Sequence, residues 1–288
     1  MSNFAPKSIL CPVDLSPASP TVLRWASLFA GVYGARVELL HADWFEYPPY
    51  FLPSQTQELS EVARRNRKVL QESLAKLIKE NFGKDIAYQI TTLDGHPVQT
   101  ILNHAAKTKP DLIVMGSHGR SGIVRMRLGS VAEDVVQQAD LPTLVVRAPE
   151  NKPVPAKLSR VLCPVNFNEQ SKQNLALSAE VASAFGAQLL VMHAEEEGHS
   201  PAMSQKLLCD WVPPEARGHC ELLEVVRQGN APEQILMAAH EHSVDIITLS
   251  AMHRRFLDFT VIGTTTEKVI RHADTAVLVH PAGIEAAK

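Results

Sequence analysis

The chain spells much of its sequence twice, so whatever one half folds into, the other must also. Ile9-Leu10-Cys11-Pro12-Val13-Asp14 returns as Val161-Leu162-Cys163-Pro164-Val165-Asn166, and Leu39-Leu40-His41-Ala42 returns as Val191-Met192-His193-Ala194. Gly116-Ser117-His118-Gly119, nine residues and Gly129-Ser130 become Ser250-Ala251-Met252-His253, nine residues and Gly263-Thr264. The early landmarks are offset by 152 residues and the later ones by 134, so the second copy has lost 18 residues opposite Asp43 to Tyr88. A chain of 288 residues divides naturally into two domains, each large enough to bury a core. We expect domains at residues 1–147 and 158–281, with residues 148–157, rich in proline (Pro149, Pro153, Pro155), as a stiffened linker.

Each half alternates strand and helix signals. Residues 8–14 are a short apolar run ending in Pro12 and Asp14, followed by a helical pattern from Thr21 to Tyr33 that Gly34 stops. Ala35 to Ala42 reads as a strand, Gln55 to Asn81 as a long helix, Ile86 to Thr92 as a strand and Pro97 to Thr108 as a helix. Asp111 to Gly116 is an uninterrupted apolar strand, a last helix runs from Gly129 to Ala139, and Thr143 to Arg147 closes the half. Strict alternation predicts an α/β fold, a parallel sheet with helices on both faces. The second half repeats the order, with Pro201 to Trp211 in place of the long helix.

The net charge of −3 and pI near 6.5 argue against a nucleic-acid partner. No stretch approaches the roughly 20 apolar residues of a membrane span, and the first residues lack a signal pattern, so a cytoplasmic protein that does not enter membranes is expected. Cys11 and Cys163 occupy matching strand positions and read as small core residues; Cys209 and Cys220 match no metal spacing, so no metal site is expected.

In an open parallel sheet a ligand lies beyond the carboxyl ends of the strands, where Pro12-Val13-Asp14, His41-Ala42 and Met115-Gly116-Ser117-His118-Gly119 converge. Gly116 and Gly119 bracket a tight turn that lets backbone N–H groups approach a phosphate, and Gly129-Ser130 opens a helix whose free N–H groups favour an anion. No Walker run is present, and the glycine turn follows the fourth strand rather than the first, which disfavours a dinucleotide such as NAD.

Gly116-x-x-Gly119, nine residues and Gly129-Ser130, with Pro12-Val13-Asp14 upstream, resemble the signature of the nucleotide-binding branch of the universal stress proteins (UspA family), here as a tandem of two domains. The resemblance implies two five-stranded Rossmann-like sheets of order 3-2-1-4-5, paired through their fifth strands as an intramolecular pseudo-dimer. It also implies an ATP- or ADP-binding regulatory protein of the stress response, with Mg2+ accompanying the nucleotide. By the same resemblance Pro12, Val13 and Asp14 meet adenine, Ala42 borders base or ribose, and Met115, Gly116, His118, Gly119, Gly129, Ser130 and Val131 hold ribose and phosphates. Arg120 lies on the excursion that passes over the anion site and is added to this set. Arg125 and Arg127, on the same excursion, read as a solvated face.

His118 is open to two readings, a donor to phosphate or ribose and a solvent-facing loop residue. His96 is expected to cap or lie on the surface, and His104, His240, His242 and His272 to be surface groups. The aromatic run Trp44, Phe45, Tyr47, Tyr50 and Phe51 is open to two readings, a lid over a ligand and burial against the partner half, of which packing is the one expected. In the second half Asn166 replaces the acid, and Ser250 and His253 replace the paired glycines, so its site is expected to be degenerate. No general base is paired with a metal-binding carboxylate. A binding protein is therefore expected, with a slow ATPase and a nucleotide-free interaction module as alternatives, and a homo-oligomer or an unidentified protein partner left open.

Overall fold

The computed structural model describes residues 4–44, 68–83, 85–117, 128–147, 153–196, 200–252, 254–256, 259–261 and 263–282. In the first half the aliphatic runs form β1 (Ser8–Pro12), β2 (Arg36–Asp43), β3 (Tyr88–Asp94), β4 (Leu112–Gly116) and β5 (Thr143–Val146). The amphipathic stretches between them form α1 (Ser19–Tyr33), α2 (68–81), α3 (Pro97–Thr108) and α4 (Ser130–Gln138). The second half holds β6 (Arg160–Val165), β7 (Gln188–Glu195), β8 (Leu222–Gln228), β9 (Ile246–Met252) and β12 (Ala276–Ala282). Its helices are α5 (Glu169–Phe185), α6 (Pro201–Trp211), α7 (Pro214–His219), α8 (Ala231–Glu241) and α9 (Thr264–His272). A short hairpin, β10 (Arg254–Phe256) with β11 (Phe259–Val261), occupies the excursion after β9; neither it nor α7 has a sequence signal strong enough to anticipate.

All ten long strands join one sheet in the order β3-β2-β1-β4-β5-β12-β9-β6-β7-β8. Within each half every pairing is parallel and the order is 3-2-1-4-5, as expected. The halves meet where β5 and β12 pair antiparallel, with Val145 opposite Val277 and Leu144 opposite Leu278. That pairing gives each fifth strand a neighbour where it would otherwise leave a row of open N–H and C=O groups.

One apolar cluster fills each face of the sheet, and each cluster takes residues from both halves. On one face Phe29 of α1 meets Phe185 of α5 edge to face with ring centroids 5.1 Å apart, and Tyr33 lies 6.0 Å from the same ring. The backbone repeats as faithfully as the sequence. The described residues with positive φ fall into matched pairs: Leu15 (59°) with Phe167 (63°), Gly34 (62°) with Gly186 (59°), Gly95 (140°) with Gly229 (125°), and Lys109 (49°) with Ser243 (49°). Leu15 and Phe167 adopt a left-handed conformation that costs a side-chain-bearing residue roughly 1–2 kcal/mol, and both lie in the turn between the first strand and first helix of their half.

His104 is not the surface group expected of it. Its Nε2 lies 2.8 Å from Glu38 Oε1, which also accepts from Thr91 Oγ1 at 2.6 Å, and both the His104 and Glu38 side chains are nearly buried between α3 and the sheet. Burial raises the Glu38 carboxyl, but the bonds from Thr91 and His104 prevail and hold it below its ordinary range. Cys11 and Cys163 are core residues as expected; burial pushes both thiols up, Cys163 to about 11, so neither is a ready nucleophile. Cys209 donates to Glu224 at 3.1 Å.

Candidate functional site

The cleft follows from where the strands part. β1 and β4 share only two register pairs, Ile9 with Leu112 and Leu10 with Ile113, before Pro12, which has no N–H to donate, ends β1. Beyond them, at the switch in strand order, a cavity of about 380 Å³ opens between the start of α1 and the start of α4. Its volume lies within the range of small-molecule sites.

Nine of the sequence-predicted residues line this cavity together: Pro12, Val13, Asp14, Ala42, Met115, Gly116, Gly129, Ser130 and Val131. His118, Gly119 and Arg120 lie outside the described residues, as do Arg125, Arg127, His253 and the aromatics after Trp44. The apolar walls are Val13, Leu40, Ile101 and Met115, each nearly inaccessible to solvent outside the cleft.

One polar end is built on Asp14. Its Oδ1 accepts from the Ser16 backbone N–H at 3.0 Å and from Ser19 Oγ at 3.3 Å, so the carboxylate also shapes the turn into α1. The other polar end is the start of α4. Gly129 is its N-cap, and having no side chain it makes no side-chain cap bond to the first-turn N–H groups, which face the cleft from Ser130 and Val131. The Gly129 N–H donates to Ser117 O at 2.7 Å and the Ser117 N–H to Val146 O at 2.8 Å, which ties the end of β4 to the start of α4 at the rim. This arrangement can take a flat apolar body between its walls, accept a hydrogen bond at Asp14 and offer N–H groups to an anion at α4.

Further residues line the cavity beside the candidate ligand contacts, among them His41, which the sequence already placed at the converging strand ends. His41 is buried, and its Nδ1 donates to Val13 O at 2.8 Å, which fixes the ring at the end of β2. Ser16 is 6% exposed and its Oγ has no partner among the described residues. The spacing Asp14-x-Ser16-x-x-Ser19, matched by Asn166-x-Asn168-x-x-Ser171, is the signal that finds these serines. Trp44, expected to pack, instead stands half exposed at the mouth, edge to face with His96 at 5.3 Å.

The corresponding place in the second half is bridged by side chains. Asn166 Oδ1 accepts from Ser171 Oγ at 2.6 Å, and His193 Nδ1 lies 3.0 Å from Val165 O, repeating Asp14 and His41. Where Gly116, Ala18 and Ala132 leave room, Ser250, Gln170 and Thr266 stand. Ser250 Oγ donates to Gln170 O at 3.1 Å, and Thr266 Oγ1 donates to Ser250 O at 3.1 Å. Asn168, unlike Ser16, caps its helix by accepting from the Ser171 N–H at 2.8 Å.

Known proteins carry the same two features, sequence pattern and fold. A family model described as the universal stress protein family matches residues 6–147 and again 157–281. A universal stress protein of Methanocaldococcus jannaschii is 34% identical over 151 residues, covering 51% of this chain and 85% of that protein. One from Thermus aquaticus is 33% identical over 143 residues, covering 49% of this chain and 98% of that protein. Among solved structures, a universal stress protein from Archaeoglobus fulgidus superposes with a TM-score of 0.72 at 24% identity, covering 96% of each chain, which speaks for the fold. Among the described residues no helix is long and apolar enough to cross a membrane. Matched twice by one family model, along nearly all its length, the chain belongs to the universal stress protein family as a tandem of two repeats.

Proposed function

We propose that this protein binds one adenine nucleotide, ATP or ADP, in the first-half cleft, and acts as a nucleotide-dependent regulator of a cytoplasmic stress response. The observation that carries the reading is a single cavity joining the Asp14 carboxylate, across apolar walls, to the side-chain-free N-cap of α4. Asp14 is suited to accept from an exocyclic amine, Val13 and Met115 to sandwich a planar base, and Ala42 and His41 to border the sugar. The Gly129-Ser130-Val131 start of α4 is suited to receive phosphates, with His118, Gly119 and Arg120 joining them from the excursion. Mg2+ would arrive on the phosphates rather than in a protein cage.

The second half keeps the turn and the buried histidine, but bridges the cleft position with Ser250 and Thr266. One site per chain is therefore expected. Calorimetric titration of the nucleotide-stripped protein with ATP and magnesium tests this directly. A stoichiometry near one supports it, two sites would overturn the assignment of a closed second half, and no heat or displacement at any concentration would overturn nucleotide binding itself.

A further inference from the structure

The helix that presents its N-terminus to the cleft carries a carboxylate where an anion is least helped by one. Glu133 follows directly on Ser130, Val131 and Ala132, which line the cavity, and its N–H bonds Gly129 O at 3.0 Å, so it belongs to the first turn of α4. A negative charge there stabilises the helix alone but competes with an incoming phosphate for the same positive end. The second half supplies the counter-charge. Arg271 of α9 donates from Nη2 to Glu133 Oε1 at 2.8 Å and reaches Glu267 Oε1 on its own helix at 2.9 Å. Its Nε is buried without a partner among the described residues, and its backbone carbonyl, near the end of α9, accepts from the Arg147 guanidinium at the end of β5. Arg147 in turn lies 3.7 Å from Asp274. Each half thus holds the other, but not symmetrically: Glu133 and Glu267 are repeat equivalents, whereas Gln137 stands where a mirrored arginine would have to be.

We infer that Arg271 is a positioning residue for the first-half site, neutralising Glu133 so that the α4 N-terminus is open to a polyphosphate. The inference rests on the nucleotide reading for its ligand but on the Glu133–Arg271 pair for its content. It gives the second half a task that does not require it to bind anything: it contributes one guanidinium to its neighbour's anion end.

The test uses the full chain with Arg271→Gln, Arg271→Lys, Glu133→Gln and the Glu133→Gln/Arg271→Gln pair, each verified as folded by thermal melting. Affinities for ATP, adenosine and inorganic tripolyphosphate are compared at low ionic strength. We expect Arg271→Gln to weaken ATP roughly three- to fivefold, the size of one charge at a helix end, and to leave adenosine unchanged. Arg271→Lys should stay within about twofold of the parent, and the double variant should regain ATP affinity because the charge that needed neutralising is gone. Equal loss for adenosine and ATP, no loss in Arg271→Gln, or a double variant as weak as Arg271→Gln would each overturn it. If the parent protein binds tripolyphosphate but neither ATP nor adenosine, the nucleotide reading falls, and the same pattern of variants on tripolyphosphate decides the role of Arg271. If it binds no polyphosphate at all, both fall.

Discussion

The two halves share a backbone down to their strained turns, yet one holds an open cleft and the other a bridged one. Leu15 and Phe167 take the same left-handed conformation, and His41 and His193 lie within hydrogen-bonding distance of equivalent carbonyls. The difference lies in a few side chains at the mouth of the sheet. Ala18, Gly116 and Ala132 become Gln170, Ser250 and Thr266, and the last two hydroxyls make hydrogen bonds across the position. Fold and binding capacity are therefore separable: the first is set by apolar periodicity and turn sterics, the second by the volume and hydrogen bonds of residues that the fold tolerates either way.

The comparison breaks most violently where the halves are not separate at all. Phe29→Ala or Phe185→Ala removes half of an aromatic contact between them and should cost about 3–5 kcal/mol, lowering the stability of the whole chain in one urea transition. Two transitions, with one half unaffected, would show that the shared core does not couple them. Next in size is a transplant of the closure. Gly116→Ser with Ala132→Thr should weaken ATP by about 2 kcal/mol, some thirtyfold, while leaving the melting temperature within a few degrees. Retained affinity would mean that those hydroxyls do not close the second site.

The halves also differ beneath α3, where Glu38, Thr91 and His104 of the first half are replaced by Leu190, Val225 and Ala238. Glu38→Leu alone strands His104 and Thr91 and should cost about 1–2 kcal/mol, whereas exchanging all three for their second-half counterparts should be close to neutral. The sign with pH follows from the depressed Glu38 carboxyl. Its stabilisation is fully present above the unfolded carboxylate range, about pH 4.3, and is lost as pH falls through the lower folded value. Urea midpoints between pH 3 and 6 should therefore fall more steeply for the parent than for the triple exchange, and parallel curves would remove Glu38 as the cause. The smallest effect is at Asp14. Because Asn166 holds the same turn, Asp14→Asn should fold normally and lose only about 1 kcal/mol of nucleotide affinity, roughly fivefold, through the lost charge on its hydrogen bond. A destabilised protein would mean that the charge, not the turn, was structural.

Much of this was readable from residue order. The duplication, the strand order through family resemblance, helix α3 to the residue and the convergence of Asp14, Gly116 and Gly129 on one cleft all depend on spacings within a few residues, where periodicity and steric rules act. The positions of Ser16 and Ser19 were legible too, once the repeat was aligned. The partnerships were not. His104 looked like a surface residue because its helix face is decided by what lies beneath it, a carboxylate 66 positions earlier. Arg271 and Glu133 are 138 residues apart, and no local pattern joins them. The sequence by itself determined most of the strands and helices, α7 and the β10–β11 hairpin excepted, and which loops gather at one end. Only the tertiary structure decided which charges meet, because a pair distant in the chain is brought together by sheet register and helix packing, the summed result of many weak contacts rather than of any one motif.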